Sequence, residues 1–359
     1  MAPNYGGRNI AVSNTDLTPA HALNLLIEDT ATDLRIQGAR TLRALVAAGR
    51  VRDTRQTRQD WTVTGEGADV KNYRVEDVTT ADPTDKRDKA HVQIGEYKLA
   101  HRMKVNRVAL QEATARGPEA VQDLFNDQLY VGLRKIHKKL NTYLYTGDGS
   151  LASAGMNGLL EGYGSGAFEG VDPADIPEWV PIVLDNGGIA RRLTRDLMRD
   201  FDTLVSLEEA GYNFVIMNPE TAKAYSKEYD NIAGSLNAQG RGQDTRNADL
   251  GFYGKTFNGI MILEDPECPE TAVYAMDVNT IRLLFFVLDN QPSSPNVNPI
   301  VINRSFGFPI HIAELTTGTS VIRELELYVM PQVRVTNRRG LLAISDIDPA
   351  LTFAEPSPE

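Results

Sequence analysis

The side chains able to do chemistry are few and scattered. The histidines are His21, His91, His101, His137 and His311. No two stand at the His-x-x-x-His spacing that turns two imidazoles toward one metal, and none adjoins a carboxylate pair. Packing or surface roles are expected of all of them. Glu208-Glu209 and Glu264-Asp265 are adjacent acids. Neighbours on a helix point about 100° apart and neighbours on a strand face opposite sides, so neither doublet is an acid–base dyad by itself. Cys268 lies between Glu267 and Pro269, with no cation beside it to favour the thiolate. As the single cysteine it has no intrachain disulfide partner, and it cannot by itself make a cysteine-ligated zinc or iron–sulfur centre. No Gly-x-Ser-x-Gly elbow occurs.

A glycine-rich stretch runs from Gly147 to Gly170 and contains Gly147-Asp148-Gly149 and Gly162-Tyr163-Gly164-Ser165-Gly166. It lacks the Lys-Ser/Thr of a phosphate-binding loop and follows a predicted helix where that motif requires a strand. It reads as a flexible hinge or loop. No catalytic residue, metal site or cofactor is expected, although groups convened only by folding leave no local spacing.

Charge is more informative. The chain has 359 residues, 42% of them hydrophobic and 24% charged, with a formal net charge of −11. That composition is ordinary for a globular protein, and the length suggests about two domains. Residues 160–290 hold 22 Asp/Glu against 10 Lys/Arg, whereas the rest holds 26 against 27. Residues 35–58 carry Arg35, Arg40, Arg43, Arg50, Arg52, Arg55 and Arg58 against one acid, Asp53. Two readings stay open for these arginines: a solvated face pairing with neighbouring acids, or contact with a nucleic-acid backbone, which needs only clustered cations. The longest strongly apolar run, Leu283 to Leu288, is far short of the ~20 residues of a membrane span. The first residues lack the basic-then-apolar pattern of a signal peptide, so synthesis and retention in the cytoplasm are expected.

These residues must be positioned by a definite series of elements. Thr18 and Pro19 open one short helix, with Leu23, Leu26 and Ile27 at helical spacing. Thr32 or Asp33 starts a second, with Leu34, Leu42, Leu45 and Val46 on one face and Gly49 at its end. Residues 61–104 read as a long two-stranded arm with strands at 62–64, 73–78, 91–94 and 97–99 and a charged tip at 81–89. If the arm lies on another subunit, Asp85, Lys86, Arg87 and Lys89 at its tip are the residues expected to make that contact. A lone hairpin is marginal in water, so the arm needs a surface, at home or on another subunit. Gly117-Pro118-Glu119 begins a strut helix, in which Val121, Phe125, Leu129, Leu133, Ile136, Leu140 and Leu144 recur at steps of three and four. Residues 171–300 read as a compact α/β unit. Within it Thr194 caps one helix, strand 214–217 follows, and Asn218-Pro219 begins another helix. Alternating stretches at 324–329 and 333–336 and an apolar piece at 341–344 return to strand.

The order of these elements resembles the major capsid protein of tailed bacteriophages. Four stretches look like that family: Thr146-Gly147-Asp148-Gly149 followed by Met156 to Leu160, Phe214 to Ala222, Gly254 to Ile262 before an acidic turn, and Glu324 to Val335 with its Tyr328-x-x-Pro331. The resemblance implies an α+β fold in five segments: an N-terminal arm (1–60), an extended loop (61–104), a peripheral domain with the spine helix (105–154), an axial domain (155–310), and peripheral strands with a C-terminal tail (311–359). It implies a non-enzymatic protein without cofactors. Its copies would form hexamers and pentamers of an icosahedral shell around double-stranded DNA, in a virion assembled in the host cytoplasm. Shell contacts of that kind bury ~2,000 Å² or more. Expected partners are further copies of the chain, a separate scaffolding protein, a portal, a cement protein and non-specifically held DNA, with no membrane. Arg35 to Arg58 would then face the DNA. Some members crosslink a loop lysine to an asparagine; Lys71, Lys86, Lys89 and Asn337 are available here, but no pattern pairs them. The alternatives are a nanocompartment shell protein of the same fold that packages protein cargo, and a hydrolase or transferase built on residues 171–300.

Overall fold

The computed structural model describes residues 39–65, 86–106, 115, 118–232, 256–257, 260–288, 301–304, 307–315 and 322–351. In chain order the elements are α1 (Arg40–Ala47), β1 (Val51–Thr54), β2 (Arg58–Thr64), β3 (Arg87–Gln93), β4 (Leu99–Asn106), α2 (Pro118–Thr146), α3 (Leu159–Gly162), β5 (Ile182–Leu184), α4 (Arg195–Leu207), β6 (Phe214–Met217) and α5 (Pro219–Ile232). They continue as β7 (Thr256–Phe257), β8 (Ile260–Glu264), β9 (Val273–Met276), β10 (Ile281–Phe286), β11 (Val301–Asn303), β12 (Ile310–Leu315), β13 (Ile322–Val329), β14 (Pro331–Val335) and β15 (Leu341–Ile344). The fold is α+β, as expected, and no helix among the described residues is long and apolar enough to cross a membrane.

Two compact units form. One gathers Ala100–Ile136 and Leu288–Val329. Its sheet runs β11-β12-β13-β4, with His311 opposite Tyr328 and Leu315 opposite Glu324. Alternation along β13 leads one to expect Leu325, Leu327 and Val329 inside with Glu326 and Tyr328 outside. All five are buried, and the Glu326 carboxylate is met by Arg102 at 3.2 Å. A buried carboxylate needs such a partner, because burial without one disfavours its charged form.

The other unit comprises Ile36–Leu99, His137–Val287 and Met330–Glu359. Its largest sheet runs β5-β15-β9-β6-β8-β7. Helix α4 packs its Met198, Phe201 and Val205 stripe there, and α5 adds Ala222 and Tyr225, against Val215, Met217, Val273, Ala275, Leu342 and Ile344. Each such side chain removed from water contributes ~1.5–3 kcal/mol. The start signals hold: Thr194 Oγ1 accepts from Leu197 N at 3.1 Å, and Asn218 Oδ1 from Glu220 N at 3.0 Å. A three-stranded sheet runs β1-β10-β14, and β2 pairs with β3.

Four expectations are corrected. Residues 171–300 are not self-contained: β10 leaves for the sheet with β1 and β14, and β15 enters from beyond residue 340. Pairing partners distant in sequence decided this, and periodicity cannot register them. The helix bearing Leu42, Leu45 and Val46 is shorter than expected, beginning at Arg40 after the non-helical backbone of Ala39; Thr32, Asp33 and Leu34 lie outside the described residues. The charged stretch 81–89 is not all tip, since strand β3 already begins at Arg87. The glycine-rich stretch, expected as a hinge or loop, contains the short helix α3 and a wrap around one side chain described below. The strut helix agrees with its stripe; its 29 residues span roughly 43 Å. The helix expected near Thr18 and the strand at 73–78 lie outside the described residues.

Candidate assembly site

Strands β2 and β3 form a ribbon with Arg58 opposite Gln93 and Thr64 opposite Arg87. Gly65 N donates to Lys86 O at 2.9 Å, continuing the pairing one step further. Side chains alternate, so Gln59, Trp61, Val63, Ala90 and Val92 share one face. That face lies on the ribbon's own subunit: Val92 and Ile94 pack on Leu284, with Trp61 and Phe286 beside them. Gly95 has φ +83° and lies so near the Phe286 ring that a Cβ would approach it to 2.9 Å. Gly170, at φ +84°, lies under His91 in the same way. The half of the arm nearest the body is therefore seated at home. Of the expected loop-tip residues, Asp85 lies outside the described residues, Lys86 borders the ribbon, and Arg87 and Lys89 are exposed on β3.

The arginines of residues 35–58 do not share one face. Arg35 lies outside the described residues. Arg40 Nη1 donates to Glu264 O at 2.9 Å and stands 3.8 Å from that residue's carboxylate. Arg43 and Arg55 are exposed. Arg50 Nη2 donates to Asn279 Oδ1. Arg52 is exposed on β1, and Arg58 pairs with Asp60 at 2.7 Å.

Three polar hubs escaped sequence reasoning. Asp265 is wholly buried and accepts from Thr41 N at 3.0 Å, Thr41 Oγ1 at 2.6 Å, Asn141 Nδ2 at 3.0 Å and Glu267 N at 3.0 Å. The Tyr145 hydroxyl lies 2.5 Å from Thr41 Oγ1. Burial, aided by the Asp265 charge, holds the Tyr145 phenol well above its usual range. This quartet has the residue types of an acid–base site but is sealed in the core. Its effect is to tie α1, the C-terminal half of α2 and the turn after β8 together.

Arg338 is the second hub. Its Nε donates to Gly162 O at 2.8 Å, Nη1 to Gly166 O at 2.7 Å and Trp179 O at 3.1 Å, and Nη2 to Gly164 O at 2.5 Å. The glycine-rich stretch turns carbonyls inward onto a cation, the opposite polarity from a phosphate cradle, which presents N–H groups. Residues 162–166 thus wrap a buried cation.

Gln332 is the third hub. Its Nε2 donates to Gln93 O at 2.8 Å and Gly155 O at 2.9 Å, and its Oε1 accepts from Asn157 N at 2.9 Å. It stitches the end of the ribbon to the loop after α2.

Gln332 also lines a cavity of about 300 Å³, together with His91, Glu96, Tyr97, Asn157, Glu161 and Glu169, among others. Burial raises the carboxyls of both Glu161 and Glu169. Glu169 Oε1 accepts from Val335 N at 2.9 Å, and its main-chain oxygen accepts from His91 N at 2.8 Å.

The remaining reactive groups are quiet. Burial lowers His137 to about 4, and His311 stacks on Tyr328 with ring centres 4.9 Å apart. Burial first, then the Asp265 charge, pushes the Cys268 thiol far up, so the thiolate that reacts is suppressed. Among the described residues no group of three or more His, Cys, Asp or Glu is arranged to hold a metal.

No protein-family model and no curated protein matches the sequence. Solved structures do match the fold. The capsid asymmetric unit of cyanophage A-1(L) superposes with a TM-score of 0.71 at 17% identity, covering 86% of this chain and 93% of that one. The capsid of an empty GTA particle gives 0.56 at 13% identity, covering 87% and 91%. The holo-SrpI encapsulin complex of Synechococcus elongatus gives 0.54 at 11% identity, covering 88% and 90%. The chain thus has the fold of a tailed-phage major capsid protein, one that those capsids share with an encapsulin shell.

Proposed function

We propose that the chain is a structural, non-enzymatic shell subunit, the major capsid protein of a tailed phage. Copies assemble into hexamers and pentamers of an icosahedral shell around double-stranded DNA. The observation that carries this reading is the capsid fold spanning most of the chain, together with a ribbon of β2 and β3 whose Val92 and Ile94 pack on Leu284; contact with a neighbouring copy is the role proposed for residues 66–85. A scaffolding protein, a portal and a cement protein are the partners such a shell would use. The virion capsid is its location, reached by assembly in the host cytoplasm. The arginines of residues 35–58 other than Arg52 are proposed to meet the packaged DNA.

An encapsulin among the structures of like fold favours one second reading, a nanocompartment holding protein cargo. Electron microscopy of particles purified after nuclease treatment separates the two. Protected DNA inside closed shells supports the capsid reading, and protein cargo without DNA supports the other. Replacing residues 66–85 by a short turn between Gly65 and Lys86 should leave a folded chain that closes no shells. Normal shells from that variant would overturn the role given to the ribbon.

A further inference from the structure

On the sheet of β1, β10 and β14, Arg282 stands directly opposite Arg334. Thr336 N donates to Thr280 O at 2.8 Å and Phe286 N to Met330 O at 3.0 Å, so the intervening Arg282–Arg334 pair is a hydrogen-bonded one, with Cα atoms ~5.5 Å apart. Like charges directly opposite each other destabilise a sheet. Arg52 pairs in register with Leu284, two residues beyond Arg282, so it lies on the same face. The charges of Arg282 and Arg52 are felt at Arg334, whose guanidinium is depressed by burial first and by them next. Arg50, one step before β1, offers its main-chain oxygen to Leu283 N at 2.9 Å, which places it beside Arg282.

Among the described residues nothing answers this charge fully. Arg334 Nη1 donates to Gln59 Oε1 at 3.2 Å and its guanidinium stacks 4.4 Å from the Trp61 ring centre, yet its Nε is buried without a hydrogen bond. Buried Arg50 Nε is in the same state. The side chains of Arg52 and Arg282 make no hydrogen bond or ion pair among the described residues. The acid felt at Arg334 is Glu169, whose Oε1 is committed to Val335 N and whose carboxyl burial pushes well up. Asp53 alternates to the other face of β1.

We propose that Arg52, Arg282 and Arg334 form an anion site that takes carboxylate side chains from a second copy of this chain. The proposal rests on the shell reading for the identity of the partner. Guanidinium forks match carboxylates in a bidentate way, and Arg334 is already held by Trp61 and Gln59. The chain supplies the anions: residues 160–290 carry 22 acids against 10 bases. Three arginines gathered on three adjacent strands, ~4.8 Å apart, make a compact site suited to one or two carboxylates. Duplex DNA instead rewards cations strung along its axis, and a net charge of −11 disfavours its approach.

The test uses the full chain with Arg52→Gln and Arg282→Gln together. The expected result is a Tm that holds or rises, because repulsion is relieved, with the assembled fraction at low salt falling about tenfold by sedimentation velocity. A conservative pair, Arg52→Lys with Arg282→Lys, should recover only part of the assembly. Short poly-glutamate gives a readout independent of assembly: it should raise the Tm of the wild type and not of the Gln variant. If the wild type forms no shells yet responds to poly-glutamate, the shell reading falls and the anion site stands. A lower Tm in both variant pairs, or undiminished assembly, overturns the proposal. So does undiminished assembly with reduced nuclease-protected DNA, which would assign the arginines to phosphate.

Discussion

Arg334 and Arg338 are four residues apart and live in opposite circumstances. Arg338 is wholly buried and spends its donors on four carbonyls, while its plane faces the Phe168 ring at 5.2 Å. Arg334 is half-buried among like charges with one side-chain acceptor, Gln59. The contrast separates two uses of one side chain. Where four of the five N–H groups are met within the chain, the cation organises the fold. Where two like charges act on it against one acid already committed elsewhere, folding leaves a demand that an outside anion can satisfy.

The contrast can be broken most forcefully at Arg338. Arg338→Ala strands four carbonyls around an empty space, and a loss of about 4 kcal/mol or more is expected in denaturant unfolding. Arg338→Lys should recover part of it. A loss under 1 kcal/mol would mean that solvent fills the wrap at little cost.

His137 sharpens the same point from the side of a group held neutral. Burial lowers its pKa to about 4 from an ordinary 6.5. The unfolded chain therefore takes up this proton first, so the contribution is complete above pH ~6.5 and is lost as pH falls toward 4. The loss amounts to at most about 3 kcal/mol. Unfolding free energies measured across that window in the wild type and in His137→Gln should differ in slope. Parallel curves would show that the imidazole charges without penalty.

The smallest effect belongs to the repulsive face. In a capsomer-free preparation, Arg282→Gln should change stability by no more than about 0.5 kcal/mol, toward greater stability, and should weaken the response of Tm to added salt. A clear destabilisation would place Arg282 with Arg338 among the residues that hold the fold.

Local order was legible from the residues. The stripe from Val121 to Leu144 marked the strut helix, and Thr194 and Asn218 announced their helices through caps that the structure contains. The hubs were not legible. Asp265 takes its donors from Thr41 and Asn141, 224 and 124 residues away. The acceptors of Arg338 are main-chain oxygens, which every residue carries and no sequence pattern distinguishes. The basic run exposed Arg52, but its companions Arg282 and Arg334 arrive on strands from the acidic middle and the last sheet segment. Polarity of the glycine-rich wrap was equally hidden, because glycine can turn either its N–H or its carbonyl inward.

Strand β15 has hydrogen-bonded neighbours on both sides, β5 in parallel and β9 in the opposite sense. The sheet between them must stand open until residue 344 has left the ribosome. A polypeptide that stops short of residue 341 therefore keeps an unfilled slot where Leu342 and Ile344 belong, with the edges of β5 and β9 left unpaired.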